Sequence, residues 1–219
     1  MKTSFLFLVI FILGGCNQTT FRTYGDKPVE NSGERIVRYT VLKAFYRTAP
    51  DCVVVLPAIG HAKSKDKVLI ERAAARHLRG KLERVIGPDE RRNLAHRLAL
   101  DFSNAADRRY FANYRHKGRN CRYFARPSIL GIEENFALIW AGRRVHLGLE
   151  IVSGRTGDSL WKGDHSTDRG DGGLPLSPLS LGSAVFRAES LNADKDMLPS
   201  MIDDVFRRII KSLPDTRHF

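Results

Sequence analysis

The chain has 219 residues, 42% of them hydrophobic and 27% charged, and its 36 Lys and Arg against 24 Asp and Glu give a formal charge of +12. That length suits one domain with its own core plus a tether, and the sequence has no internal repeat and no low-complexity tract. The positive excess either meets an acidic counterpart (anionic lipid, an acidic polymer or an acidic protein) or is a solvated surface.

The N-terminus narrows this. Met1-Lys2 supplies one charge, and Phe5 to Leu13 is an uninterrupted apolar run. That run is far shorter than the ~20 residues of a membrane span, and it has the layout of a signal peptide. It ends in Leu13-Gly14-Gly15-Cys16, which resembles the lipobox of bacterial lipoproteins, with residues 1–15 as the leader and Cys16 as the lipidated first residue. The alternative is an ordinary secretory signal with a chance cysteine. Covalent lipid on Cys16 is the only prosthetic group expected, and no cofactor is. In lipoproteins of this kind the residue after the cysteine influences sorting. Asn17 is not the aspartate of inner-membrane retention, which favours the periplasmic face of the outer membrane. Nucleic acid is the usual partner of so basic a chain, but export argues against it.

Residues 17–34 lack apolar periodicity and read as a polar tether of about 18 residues. Ile36 to Phe45 suggests a first edge strand, so residues 16–48 form the lipidated N-terminus, tether and strand. Cys52 to Pro57 is a compact β-branched run, a buried central strand stopped by Pro57 and Gly60. Ile70, Ala74, Leu78 and Leu82 then recur every four residues, which predicts a helix over 67–82. Arg84-Val85-Ile86 is a short strand before Gly87-Pro88. Helices follow at 89–100, with Leu94 and Leu98 buried, and at 104–114, with Tyr110, Phe111 and Tyr114 inward.

From Cys121 the period becomes two. Phe136, Leu138 and Trp140 alternate, and after Ala141-Gly142 so do Val145, Leu147, Leu149 and Ile151. Gly154 to Asp158 is a hairpin loop, and Ser159 to His165 the returning strand, completing a three-stranded meander. Gly170 to Pro178 is a Gly- and Pro-rich loop. The last helix carries Leu198, Met201, Ile202, Val205, Ile209 and Leu213 on one stripe. Acid-first pairs Asp203/Arg207 and Asp204/Arg208 support it, acidic residues start it, and Pro214 stops it. The fold class is therefore α/β (α+β): a single domain over 49–214, a mixed sheet with a C-terminal antiparallel meander and helices packed on it, and a tail at 215–219.

Few residues offer chemistry. In an oxidising compartment Cys52 and Cys121, each opening an apolar strand, either pair as a disulfide or stay as two small buried residues. Asp164, Ser166 and Asp168 alternate as in a calcium loop, but Arg169 stands where glycine is required and Pro175 where glutamate would close the loop. Adjacent His165 and Ser166 point to opposite faces of a strand, which counts against a nucleophile-base pair. His77 borders its helix's apolar stripe and reads as a packed histidine. No GxSxG, HExxH, CxxC or P-loop occurs. Trp140, Trp161, Tyr123 and Phe124 are either core or an exposed patch, core being favoured. The apolar, proline-punctuated loop with Leu174, Pro175, Leu176, Pro178 and Leu179 is the preferred partner-docking element.

The order of elements over residues 49–214 resembles the α/β domain of a group of bacterial envelope lipoproteins. The group includes the curli-secretion lipoprotein, the LpoB-type activators of penicillin-binding proteins and the Pel polysaccharide-export lipoprotein; the N-terminal domain of TolB is similar. The strand Val53 to Pro57 and the hairpin Leu149 to Trp161, with its Thr156-Gly157 turn and Leu160-Trp161 return, carry the resemblance. The curli-secretion relatives add long amphipathic hairpins that build a pore, and no adjoining pair of lipid-suited segments predicts one here. The resemblance implies a non-enzymatic accessory factor that binds a protein of a secretion, polysaccharide-export or cell-wall machine. A periplasmic enzyme or carrier acting on an acidic polymer, and a ring-forming homo-oligomer subunit, are the alternatives.

Overall fold

The computed structural model describes residues 19–24, 35–116, 119–137, 140–172 and 194–217. In chain order the strands are β1 (Thr19–Thr23), β2 (Arg35–Val41), β3 (Cys52–Val55), β4 (Arg84–Ile86), β5 (Arg115–His116), β6 (Arg119–Asn120), β7 (Tyr123–Ala137), β8 (Trp140–Ser153) and β9 (Ser159–Gly172). The helices are α1 (Lys43–Thr48), α2 (Ser64–Leu78), α3 (Pro88–Leu98), α4 (Ala105–Asn113) and α5 (Met197–Ile209), the last running into a 3-10 turn at Ile210–Ser212. Seven strands form one mixed sheet in the order β1-β2-β9-β8-β7-β3-β4, and β5-β6 is a separate small hairpin. This is the α/β single domain read from the sequence, with β7-β8-β9 as the antiparallel meander.

Helices cover the two faces unequally. On one face α2 and α5 lay Ile70, Ala74, Leu78, Met201, Ile202, Val205 and Ile209 on Val53, Val55, Val145, Leu147, Leu149, Ile151 and Trp161. The four-residue repeat on α2 exists to fill this layer. On the other face α3, α4 and the link between them bring Leu94, Phe111 and Phe102 onto Val54, Ile86, Phe124 and Val152. This second layer reaches only β4, β3 and the adjoining ends of β7 and β8. Between the layers Arg91 donates to Glu71 at 2.7 Å and to the Val55 carbonyl, while Glu71 also accepts from the Ala58 amide at 3.0 Å. A buried ion pair satisfied this fully keeps both charges tolerable in the core.

Several expectations need correction. Residues 19–23, read as tether, form β1, pairing parallel with β2. Backbone bonding builds this strand, since Thr-Thr-Phe-Arg-Thr has no apolar alternation to reveal it. The strand read at 36–45 is not an edge: β2 lies between β1 and β9, and α1 takes over from Lys43. Ala141 and Gly142 lie inside β8, and β9 continues beyond His165 to Gly172, so Gly170 to Gly172, expected in the Gly-rich loop, are strand; the rest of that segment lies outside the described residues. Tyr110 is 60% exposed, while Phe111 alone of its helix's aromatic residues is fully buried. Asp203 pairs across to α2, with Arg76 at 3.1 Å and His77 at 2.9 Å, and Asp204 takes Arg207 and Arg208. No acidic residue occupies the first turn of α5. Thr216, placed in a tail, is buried, with its hydroxyl donating to the Pro50 carbonyl at 2.6 Å and its amide to Lys81. Among the described residues no helix is long and apolar enough to cross a membrane.

Candidate functional site

The face of β2, β9 and β8 left uncovered by α3 and α4 is polar because alternate residues of these strands point there. Register sets Arg38 opposite Asp164, Asp164 opposite Gly148, and His146 opposite Ser166. Asp164 is the centre. Arg38 donates to its Oδ2 from Nε at 3.1 Å and from Nη2 at 2.7 Å. His146 Nε2 lies 2.9 Å from the same oxygen, and the Tyr24 hydroxyl donates to Oδ1. Tyr24 follows β1 directly, and its ring has Lys162 Nζ 4.4 Å and the Arg38 guanidinium 5.7 Å from its centroid, within cation-π range. Four strands thus converge on one carboxyl.

The Asp164 side chain is 5% exposed, whereas that of Arg38 is 52% exposed. Water screens the guanidinium, so burial wins and pushes Asp164 up to about 6 from an ordinary value near 3.8. Burial lowers His146, and the charges of Arg38 and His165 lower it further. The two shifts narrow the gap between an acid and a base joined by one hydrogen bond. Such a pair can hold and pass a proton. Toward the far end of β8, Leu130, Gly131, Glu133, Arg144, His146, Ser166 and Asp168 line a shallow hollow of ≈ 340 Å³. It opens where the β7–β8 register shifts between Ile129 and Gly131.

The residues singled out in the sequence are dispersed. Cys52 and Cys121 form a disulfide, with Cα atoms 5.0 Å apart, at the entry to the paired strands β3 and β7. Cys16 and the loop carrying Leu174, Pro175, Leu176, Pro178 and Leu179 lie outside the described residues. His165 faces away from Asp164, and its Nδ1 lies 2.8 Å from the Ile36 carbonyl. Ser166 shares the open face with His146 rather than with its neighbour His165. Trp161 and Phe124 are fully buried core residues. His77 is held by Asp203. Among the described residues no three His, Cys, Asp or Glu side chains converge as metal ligands. Sequence reasoning missed Asp164 as a hub. Its partners Tyr24 and Arg38 lie more than a hundred residues away, and only the alternation Asp164, Ser166, Asp168 marked the face.

No protein-family model matches the chain, and no curated protein matches it. Solved structures with a similar backbone include the PelC dodecamer from Paraburkholderia phytofirmans, at 17% identity over 79% of this chain and 95% of that one, with a TM-score of 0.42. A lipoprotein from Neisseria meningitidis matches at 17% identity over 65% of this chain and 96% of its own, with a TM-score of 0.41. A minor lipoprotein from Acinetobacter baumannii matches at 12% identity over 74% and 89%, with a TM-score of 0.38.

Proposed function

We propose that this chain is a lipid-anchored protein of the bacterial cell envelope, fixed through Cys16 on the periplasmic face, with the outer membrane favoured. It acts as a non-enzymatic accessory factor whose α/β domain binds a protein of an envelope machine for secretion, polysaccharide export or cell-wall synthesis. The Leu13-Gly14-Gly15-Cys16 motif supports the anchor. The observation that carries the binding role is the polar sheet face that, among the described residues, α3 and α4 leave uncovered. Its charges are fixed in advance by neighbouring strands, Arg38 by Asp164 and Arg126 by Glu150 at 2.5 Å. Preorganised polar groups of this kind lose little freedom on meeting a partner, which favours recognition.

Two measurements test the reading. Cys16→Ser should move the protein from the membrane to the soluble fraction, and retention would contradict the anchor. Photo-crosslinkers placed in living cells at Ser128 and Lys162 should capture one discrete protein, and crosslinkers at Arg72 on the opposite side of the domain should not. Equal or absent capture from both positions would remove the open face as the binding surface.

A further inference from the structure

Register gathers cations on one side of the open face. Arg22 of β1 lies directly opposite Arg38 of β2, and Lys162 of β9 lies opposite Thr40, two residues along β2 from Arg38. Alternation puts all three on the side that α3 and α4 leave uncovered among the described residues. The sheet gains no stability from setting like charges opposite one another on paired strands.

Tyr24 organises the cluster. Its ring centroid has Lys162 Nζ at 4.4 Å and the Arg38 guanidinium carbon at 5.7 Å, so the two cations are no further apart than those distances together. The electron-rich face of the ring attracts both. The ring is itself fixed at each end: the Tyr24 hydroxyl donates to Asp164 Oδ1, and the Tyr24 amide donates to the Tyr39 carbonyl at 3.1 Å.

The neighbouring carboxylates are turned inward or engaged elsewhere. Asp164 is buried, with Oδ1 taken by Tyr24 and Oδ2 by Arg38 and His146. Glu150, opposite Lys162 in register, accepts from Arg126 through Oε2 at 2.5 Å. Lys162 is exposed and, among the described residues, joined to no carboxylate. Arg38 gives Nε and Nη2 to Asp164, which leaves Nη1 as its outward donor. What faces solvent here is therefore a pair of cations set in place by one ring. A carboxylate complements that pair, because it can accept from Nη1 and from Nζ at once. Ordering two flexible side chains before contact also lowers the entropy that binding has to supply.

We infer that Arg38 and Lys162, seated on Tyr24, form a clamp for an Asp or Glu side chain of the protein partner, which meets the open face with an acidic segment. This inference rests on the open face being the binding surface proposed above, and it names the chemistry that the face selects.

The test uses the full chain in living cells, with a photo-crosslinker at Ser128 and the clamp altered one residue at a time. Lys162→Glu should cut capture of the partner severalfold, and Lys162→Arg should retain it. Tyr24→Leu removes the ring and should also cut capture severalfold, whereas Tyr24→Phe, which keeps the ring, should cut it less. Lys65→Glu makes the same change of charge on α2, across the sheet from the open face, and should leave capture intact. Mass spectrometry of the adduct should place Asp or Glu beside the crosslinked position of the partner. Replacing that acid with Lys should abolish capture by the native chain and restore it with Lys162→Glu. Undiminished capture by Lys162→Glu would overturn the clamp and leave the open face standing as the binding surface. Equal loss from Lys65→Glu would reduce the effect to overall charge and also overturn the clamp. An adduct of lipid or polysaccharide would overturn the acidic protein segment as the occupant. No capture from Ser128 in the native chain would remove the open face as the binding surface, and the clamp with it.

Discussion

Asp164 allows a quantitative test of the open face through the pH dependence of folding. Its carboxyl titrates near 6 in the folded chain because burial disfavours the carboxylate, against about 3.8 when unfolded. The folded state therefore holds this proton roughly a hundredfold more tightly, a ceiling of ~3 kcal/mol. Half-exposed Arg38 and the solvent around Tyr24 reduce that to about 1–3 kcal/mol. Below pH ~4 both states are protonated and the stabilisation is complete. Between pH ~4 and ~6 only the folded state keeps the proton, so stability falls as pH rises, and above ~6 the contribution is gone. The perturbation is Asp164→Asn, which cannot titrate, placed in a His146→Gln background so that the adjacent imidazole does not titrate either. Urea denaturation with the disulfide intact, at intervals from pH 4 to 7, gives the stability of each chain. The aspartate chain should lose about 1–3 kcal/mol relative to the asparagine chain across this range. A constant difference would refute the burial argument. A difference that grows in favour of aspartate with rising pH would show that the Arg38 charge dominates instead.

Other parts of the fold give separable tests. Replacing Cys52 and Cys121 together by Ala opens a link between residues 69 apart, and calorimetry should register a loss of about 4 kcal/mol. Glu71→Ala strands the buried Arg91 and the Ala58 amide, and should cost about 3–5 kcal/mol in urea. Replacing Glu71 and Arg91 together by Met should cost less than Glu71→Ala alone, and a larger cost would show that the pair itself, not the stranded charge, governs. At Gly154 a Cβ would lie 2.3 Å from a Phe124 ring carbon and 2.8 Å from the Arg122 carbonyl, so Gly154→Ala should cost about 1–3 kcal/mol by thermal melting.

What could be read in the sequence follows from which forces build each element. β3, α2, α3, α4 and α5 are shaped by apolar side chains, and periodicity marks such elements. Asn104 also declares the start of α4, accepting from the Ala106 amide at 2.8 Å. β1 and the outer halves of β7 and β9 depend on backbone pairing and charge ladders. Glu133-Glu134 and Asp168-Arg169-Gly170-Asp171 look like solvated loop until Arg143 and Arg144 are brought alongside. The Asp164 cluster is further out of reach, because no local pattern announces that Tyr24 and Arg38 will cover a carboxyl on β9. Similarly, Asp203 looked like the i,i+4 partner of Arg207, but the packing of α5 on α2 gives it Arg76 and His77 instead.

The position of β1 changes what the proposed anchor at Cys16 implies. An 18-residue tether would have let the domain roam tens of ångströms from the bilayer, whereas the two residues between the proposed lipid site Cys16 and Thr19 would hold it close. With Cys16 in the bilayer, as proposed, the end of the sheet at which β1 begins would face the membrane. The Cys52–Cys121 disulfide, Arg122 and the Arg155 turn lie at the opposite end of the sheet. Asp164 sits between the two ends, on the face that α3 and α4 leave open. Under the proposed anchor that face would stand upright on the membrane, and a partner moving laterally in the same bilayer would meet Arg38, Lys162 and Asp164 edge-on. A soluble partner gains no such advantage. Lengthening the chain between Cys16 and Thr19 with a flexible Gly-Ser insert should therefore weaken engagement of a membrane-bound partner in cells. Binding of that partner's soluble domain in solution should stay unchanged. Equal loss in both assays would mean that β1 itself had been displaced rather than the domain's stance on the membrane altered.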